Sequence, residues 1–132
     1  MAAANAARHK VEKKIRFLSG DLLSSLPDSL RVDAIVSNPP YIASGDWAKL
    51  PKEVRDFEPV QALVAGEDGL KFYRRILDDA QRFLLPDGIL CLELGDGQRP
   101  AVEQLCVAHE FRVAQIVKDL QGHERVIVAL QK

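Results

Sequence analysis

Cysteine is scarce in this sequence, with Cys91 and Cys106 the only two. They stand in unrelated patterns, with no close pair and no neighbouring histidine to complete a metal tetrahedron. A disulfide framework and a thiolate metal site are therefore excluded, and two reduced core thiols are expected. Long apolar runs are missing too: no stretch approaches the roughly 20 apolar residues that span a bilayer, and the N-terminus lacks the apolar core of a secretory signal. Cytoplasmic residence without membrane attachment is the expectation. A dominant charge is equally absent. Lys and Arg number 18 against 19 Asp and Glu, a net charge of −1, and the two signs are interspersed, so no broad field argues for nucleic-acid binding. The basic group Arg8, Lys10, Lys13, Lys14 and Arg16 is interrupted and reads as the solvated end of a helix. His9, His109 and His123 have no ligand spacing and read as surface residues. There is no internal repeat and no low-complexity segment.

What is present is an ordinary globular composition, 47% hydrophobic and 28% charged, which fits one domain over residues 1–132 with a sizeable core. Residues 2–13 are Ala-rich and predict a helix, and Ile15 to Leu18 is a short β-type run. Val32-Asp33-Ala34-Ile35-Val36-Ser37 reads as a buried strand, ended by the prolines of Asn38-Pro39-Pro40-Tyr41. Residues 42–67 have no sustained period and read as a long loop with one helical turn, of a length that is usually functional or disordered. From Leu70, the positions Tyr73, Ile76, Leu77, Ala80, Phe83 and Leu84 recur at helical spacing, with Pro86-Asp87-Gly88 as the stop. Ile89 to Leu94 predicts a strand, Pro100 to Ala108 a helix, and Phe111 to Val117 and Val126 to Leu130 two further strands. The alternation implies an α/β layered sheet closed by an antiparallel pair.

The segment richest in chemistry is Asn38-Pro39-Pro40-Tyr41. In α/β sheets ligands bind beyond the carboxyl ends of strands. The two prolines fix φ and withdraw two backbone donors, and Asn38, preceding a proline, is held extended. The turn is stiff and rich in acceptors. An amide nitrogen is a poor nucleophile because its lone pair is delocalised, so chemistry at it requires that its N–H groups be held and the nitrogen aimed. The Asn38 side-chain oxygen and the Pro39 carbonyl can each accept one N–H, and Tyr41 can stack on the planar amide, which are orientation and electrostatic effects. Taken alone, the four residues are equally a strand-ending turn whose tyrosine packs on the surface.

The run Asp33-Ala34-Ile35-Val36-Ser37-Asn38-Pro39-Pro40-Tyr41-Ile42 resembles motif IV of the class I amino-methyltransferases, specifically the HemK-like or PrmC-like glutamine N5-methyltransferases. The match extends in the family's order through Glu58-Pro59-Val60-Gln61-Ala62-Leu63, Gly66-Glu67-Asp68-Gly69-Leu70, Leu92-Glu93-Leu94-Gly95 with Gln98, and Asp119-Leu120 with Gly122 and Arg125. DNA adenine methyltransferases share only the central motif. The resemblance implies an α/β fold, a partial class I methyltransferase (Rossmann-like) sheet with a terminal antiparallel strand pair. It implies S-adenosyl-L-methionine as methyl donor and a peptide-chain release factor, through its Gly-Gly-Gln glutamine, as protein substrate. Asn38, Pro39, Pro40 and Tyr41 would grip the amide, with Asn38 also near the donor. Asp21 and Leu22 would border the donor's adenine, Asp21 accepting from its amino group, although Asp21 also reads as a turn or helix cap. Glu58 and Pro59 would shape the substrate entrance, unless Glu58 is simply solvated.

The family holds its donor with a Gly-rich loop after the first strand and an acidic residue after the second. Neither is found, so the chain reads as an N-terminally truncated catalytic domain lacking the first two strands, expected to bind the donor weakly or not at all. A catalytically silent domain that binds a partner is the competing reading. Ile89 to Gly97 also imitates a nucleotide loop, a strand entering Gly-x-Gly. As a donor loop it would make the chain a permuted adenine N6 methyltransferase, but the third glycine is missing. With Ile15 to Leu18 and Asp33 to Ser37 separated in the family by the two absent strands, an apolar edge is expected to be left open; either Ile15 to Leu18 moves across to cover it within one chain or, the favoured outcome, two copies pair through it as a homodimer.

Overall fold

The computed structural model describes residues 1–132. Eight regular elements are α1 (Ala2–Arg8), β1 (Val32–Ser37), α2 (Lys52–Phe57), α3 (Lys71–Phe83), β2 (Leu84–Glu93), α4 (Arg99–Ala108), β3 (Phe111–Lys118) and β4 (Glu124–Gln131). The four strands form one sheet in the order β1-β2-β4-β3. β1 and β2 are parallel, and β4 lies antiparallel to both β2 and β3. The α/β class and the terminal antiparallel pair are as the sequence predicts.

The core forms where α3 and α4 lie on one face of this sheet. α3 buries Tyr73, Ile76, Leu77, Ala80 and Phe83, the stripe expected of 3.6-residue periodicity. Val102 and Cys106 of α4, Leu90 and Leu92 of β2, and Ile127 and Ala129 of β4 complete the same cluster. Leu90 pairs with Ala129 and Leu92 with Ile127, so alternate residues on adjacent strands reach the helices together. Each fully buried aliphatic side chain contributes roughly 1.5–3 kcal/mol.

Several expectations are corrected. The predicted helix over 2–13 ends at Arg8. Val11 N–H donates to Ala6 O and Lys10 N–H to Ala7 O, each at 3.0 Å, with Lys10 left-handed at φ 56°. This Schellman closure ends the helix without a glycine, and only a 3₁₀ turn at Glu12–Lys14 follows. The segment from Ile15 to Leu18 joins no strand, and Ile15, Phe17 and Leu18 stay 43–46% exposed. Extended propensity without a neighbouring edge to pair with gives no sheet. β1 is a strand but not a buried one: it lies at the sheet's edge, and only Ile35 is buried while Val36 is 77% exposed. The loop over 42–67 holds α2 and two 3₁₀ segments, Ser44–Lys49 and Val60–Ala62. α3 ends at Phe83, ahead of Pro86-Asp87-Gly88. Those residues lie within β2, as a bulge where the register jumps from Val32↔Leu84 to Ala34↔Ile89. Leu85 precedes proline and resists helical backbone.

The β3–β4 connection is tied by one carboxylate. Asp119 Oδ1 accepts from the N–H of Gln121 and of His123, each at 2.9 Å, and Oδ2 from Arg125 Nε at 3.0 Å. Partial desolvation favours the neutral acid, but the His123 N–H, the Arg125 guanidinium and the Gln121 N–H outweigh it and hold the carboxyl at about 2, below its ordinary 3.8. A depressed folded value contributes stability that is fully present above the unfolded value and lost as pH falls through the folded one. The stability advantage of the parent over Asp119→Asn is therefore expected to shrink between about pH 4 and about pH 2, as measured by thermal melts of both proteins. An advantage constant across that window would contradict the tie.

Candidate functional site

The site is built at the carboxyl end of β1. Ser37 pairs with Leu92 of β2, so the residues that follow both strands emerge side by side. The prolines of Asn38-Pro39-Pro40-Tyr41 stop β1 there. Asn38 is exposed, Pro39 buried, and Pro40 and Tyr41 half-buried. Tyr41 OH donates to Glu93 Oε1 at 3.4 Å, tying the turn to the last residue of β2. Burial and the Glu93 carboxylate raise the Tyr41 phenol above its ordinary value, with Arg125 opposing, so it is a protonated donor at neutral pH.

The chain then leaves on the excursion over 42–67 and returns to its starting point. Ile42 N–H donates to Leu63 O at 2.9 Å, Ala65 N–H to Ile42 O at 2.8 Å, and Ser44 N–H to Gly66 O at 2.8 Å, with a parallel bridge between Ile42 and Val64. This closure brings Ala62 and Leu63 against the turn. The result is a small pocket of about 120 Å³ lined by Asn38, Pro39, Pro40, Tyr41, Ala62 and Leu63. On the other side of Tyr41 lies a wider groove of about 490 Å³, reaching Ala43, Asp96, Gln98 and Arg125.

A buried network stands behind the turn. Tyr73 OH donates to Glu93 O at 2.8 Å, and Gly95 N–H approaches Tyr73 OH at 3.4 Å. Gln98, at the start of α4, donates from Nε2 to Tyr41 O at 2.9 Å. Burial pushes the Tyr73 phenol strongly upward, so it does not ionise. Two glycines are needed where these groups meet. A Cβ on Gly95 would lie 2.5 Å from Gln98 Oε1 and 2.9 Å from Tyr41 Cδ2. One on Gly69, already at φ +73°, would meet Tyr41 O and, at 2.7 Å, Gln98 Nε2. The Gly95-Asp96-Gly97 segment, which imitates a nucleotide loop in sequence, thus has its first glycine packed against protein.

Asn38, Pro39, Pro40 and Tyr41 line one small pocket, and Ala62 and Leu63, to which the sequence reading assigns no role, complete it. Glu58 and Pro59 are exposed and line neither cavity. They lie one turn before Ala62, whose N–H donates to Pro59 O at 2.9 Å. Asp21 is ion-paired, its Oδ2 accepting from Arg75 Nη2 at 2.6 Å. That guanidinium holds the Asp21 carboxyl below its usual range. Leu22 is left-handed at φ 53° and packs against the core rather than standing free. Glu93, Tyr73 and Gln98 escape sequence reasoning because their role is to connect segments far apart in the chain.

No family model matches the chain. Among solved structures, a methyltransferase from Pyrococcus furiosus superimposes with a TM-score of 0.53 at 17% identity, covering 78% of this chain and 42% of that one. The chain shares part of that protein's fold. Among curated proteins, the release factor glutamine methyltransferase of Thermodesulfovibrio yellowstonii is 39% identical over 99% of this chain and 46% of its own length. That of Gloeobacter violaceus is 44% identical over 97% and 45%. The chain is therefore homologous, over nearly its whole length, to the release factor glutamine methyltransferases, and it spans just under half the length of these relatives.

Gly69 allows a direct check of how tightly the site is closed. Gly69→Ala adds the Cβ clash to left-handed strain, whereas Gly97→Ala, at φ +70° with nothing within 4 Å, adds strain alone. Left-handed backbone costs an alanine roughly 1–2 kcal/mol. Gly97→Ala is expected to lose about that much in urea unfolding, and Gly69→Ala about twice as much or more, with Tyr41 resonances displaced. Equal losses would show that the Gly69 contact is slack.

Proposed function

We propose that this chain carries the amide-gripping part of an S-adenosylmethionine-dependent enzyme that N5-methylates a protein glutamine, the substrate being the Gly-Gly-Gln segment of a peptide-chain release factor. The supporting observation is the pocket of about 120 Å³ between Asn38-Pro39-Pro40-Tyr41 and Ala62-Leu63, a size suited to one carboxamide, in a chain homologous to enzymes that carry this name. The Asn38 side chain and Pro39 carbonyl accept the two N–H groups, and Tyr41, fixed through Glu93, stacks on the amide plane. Accepting both N–H bonds aims the nitrogen and favours the charge that develops on it, with no strong base required.

Of the residues that the resemblance sets beside the donor, Asp21 is engaged by Arg75 and Leu22 packs on the core. Asp21 keeps Oδ1 unpaired beside Leu22, and Asn38 is exposed at the strand end, but no glycine-rich turn follows a strand on the β1 side. The donor supplies an electrophilic methyl group; the chain's own residues hold and orient the amide. Glu58 and Pro59, at the surface before Ala62, are the approach by which a substrate loop reaches the pocket. In a complete enzyme into which this chain is built, Asn38→Ala is expected to lower turnover about 10²-fold or more and donor affinity much less. Turnover within a few-fold of the parent, measured with radiolabelled donor and a release factor, would overturn the orienting role.

The open edge of β1 supports a second statement, that this chain pairs with another copy of itself. β1 has one neighbour only, and its free N–H and C=O groups stand beside the exposed Val36. Exposed apolar edges invite strand pairing, and two copies in symmetric contact satisfy both edges at once. Sedimentation is expected to show a dimer that Val36→Lys converts to monomer. A parent that sediments as a monomer at all concentrations would refute it.

A further inference from the structure

The side chain of Gln98 makes contacts out of proportion to its place at the foot of a helix. Nε2 lies 2.9 Å from Tyr41 O and 3.4 Å from Gly69 O, and Oε1 lies 3.3 Å from Tyr73 OH. Carbonyls only accept, so the NH₂ end must face Tyr41 and Gly69; Oε1 then lies beside the Tyr73 hydroxyl, whose one proton goes to Glu93 O at 2.8 Å. One carboxamide thus joins the turn after β1 to the loop before α3. Glycines at 69 and 95 make the room it occupies, since a Cβ at either would lie 2.7 Å from Nε2 or 2.5 Å from Oε1.

From this geometry we infer that Gln98 is the positioning residue of the amide pocket. By donating to Tyr41 O it fixes the turn with Asn38 and Pro39 along the pocket wall. It also withdraws the Tyr41 carbonyl from the acceptors open to a substrate N–H. A flexible turn offering a third free acceptor would bind an amide in several orientations, of which few aim the nitrogen; occupying one lone pair of that carbonyl weakens its competition for the amide. This inference rests on the reading of the pocket as an amide site and adds to it the residue that sets its orientation.

The test uses the 132-residue chain and an end-blocked Gly-Gly-Gln peptide, followed by ¹H–¹⁵N NMR. The parent is expected to shift at Ala62, Leu63 and the Asn38 side chain. Gln98→Met keeps the length and removes the donor; it is expected to bind the peptide about tenfold more weakly at every pH, with core amides such as Leu92 and Ile127 unmoved. Gln98→Glu places a carboxylate against two carbonyls, which raises the introduced acid's pKa above its usual ~4.3. It is expected to be as weak as the Met variant near about pH 7.5 and to recover towards the parent near about pH 5, as the protonated acid donates to Tyr41 O. A merely structural role predicts no such recovery. Parental affinity in both variants, or a deficit in Gln98→Glu that is independent of pH, would overturn the positioning role while leaving the amide site intact. A peptide that fails to shift the parent at these residues would overturn the amide reading, and this role with it.

Discussion

The parallel pairing of β1 with β2 is the constraint on which the rest of the site depends. Parallel neighbours must be joined by a crossover, here α3, and they release their following segments at the same end of the sheet. Asn38-Pro39-Pro40-Tyr41 and Glu93-Leu94-Gly95 therefore emerge together, and the Tyr41 and Tyr73 hydroxyls can both reach Glu93. β4 then fills the far side of β2 in the antiparallel sense, its backbone carrying Leu94 N–H on Arg125 O at 2.8 Å. A slip of one residue in the β1–β2 register would turn Ile35 to solvent and detach Tyr41 from Glu93 in one step.

The polar groups of this end of the molecule divide by exposure. Asp21–Arg75, Asp68–Arg74 and Asp119–Arg125 pairs sit at or near the surface, where an ion pair is worth about 0–1 kcal/mol. Behind the turn, apart from the Glu93 carboxylate that accepts from Tyr41, the contacts are neutral, through the Tyr73 hydroxyl, a glutamine amide and backbone carbonyls. Neutral hydrogen bonds in a partly buried network impose direction without the desolvation cost of a charge. Such an arrangement suits chemistry that depends on aiming a weak nucleophile rather than on moving a proton.

Much of the fold is legible in the sequence because it rests on local signals. The stripe from Tyr73 to Phe83 and the alternation in β4 depend on periodicity, which the core obeys. The reading of Ile15 to Leu18 as a strand fails because a strand needs a partner and propensity supplies none. Pro86-Asp87-Gly88 reads as a stop because proline and glycine mark bulges as readily as turns. Of the site, the four residues at Asn38 to Tyr41 are visible since they are contiguous and follow a strand. Gln98 and Glu93 act across separations of 57 and 52 residues, and no spacing rule announces that.

β1 exposes a disagreement between composition and environment that bears on the whole molecule. Parallel strands rich in Val, Ile and Ala are ordinarily covered on both faces, and Val32 to Ser37 has that character. In the structure α3 and α4 cover one face only. Val36, Ile89 and Val117 remain 38–77% exposed, while Cys91 and Val128, paired across β2 and β4, are only half-buried. Apolar exposure of this extent along one sheet face and one edge marks a surface shaped for contact. The same face leads to the strand end that bears Asn38. The open edge and the pocket at Asn38 to Tyr41 therefore share one strand.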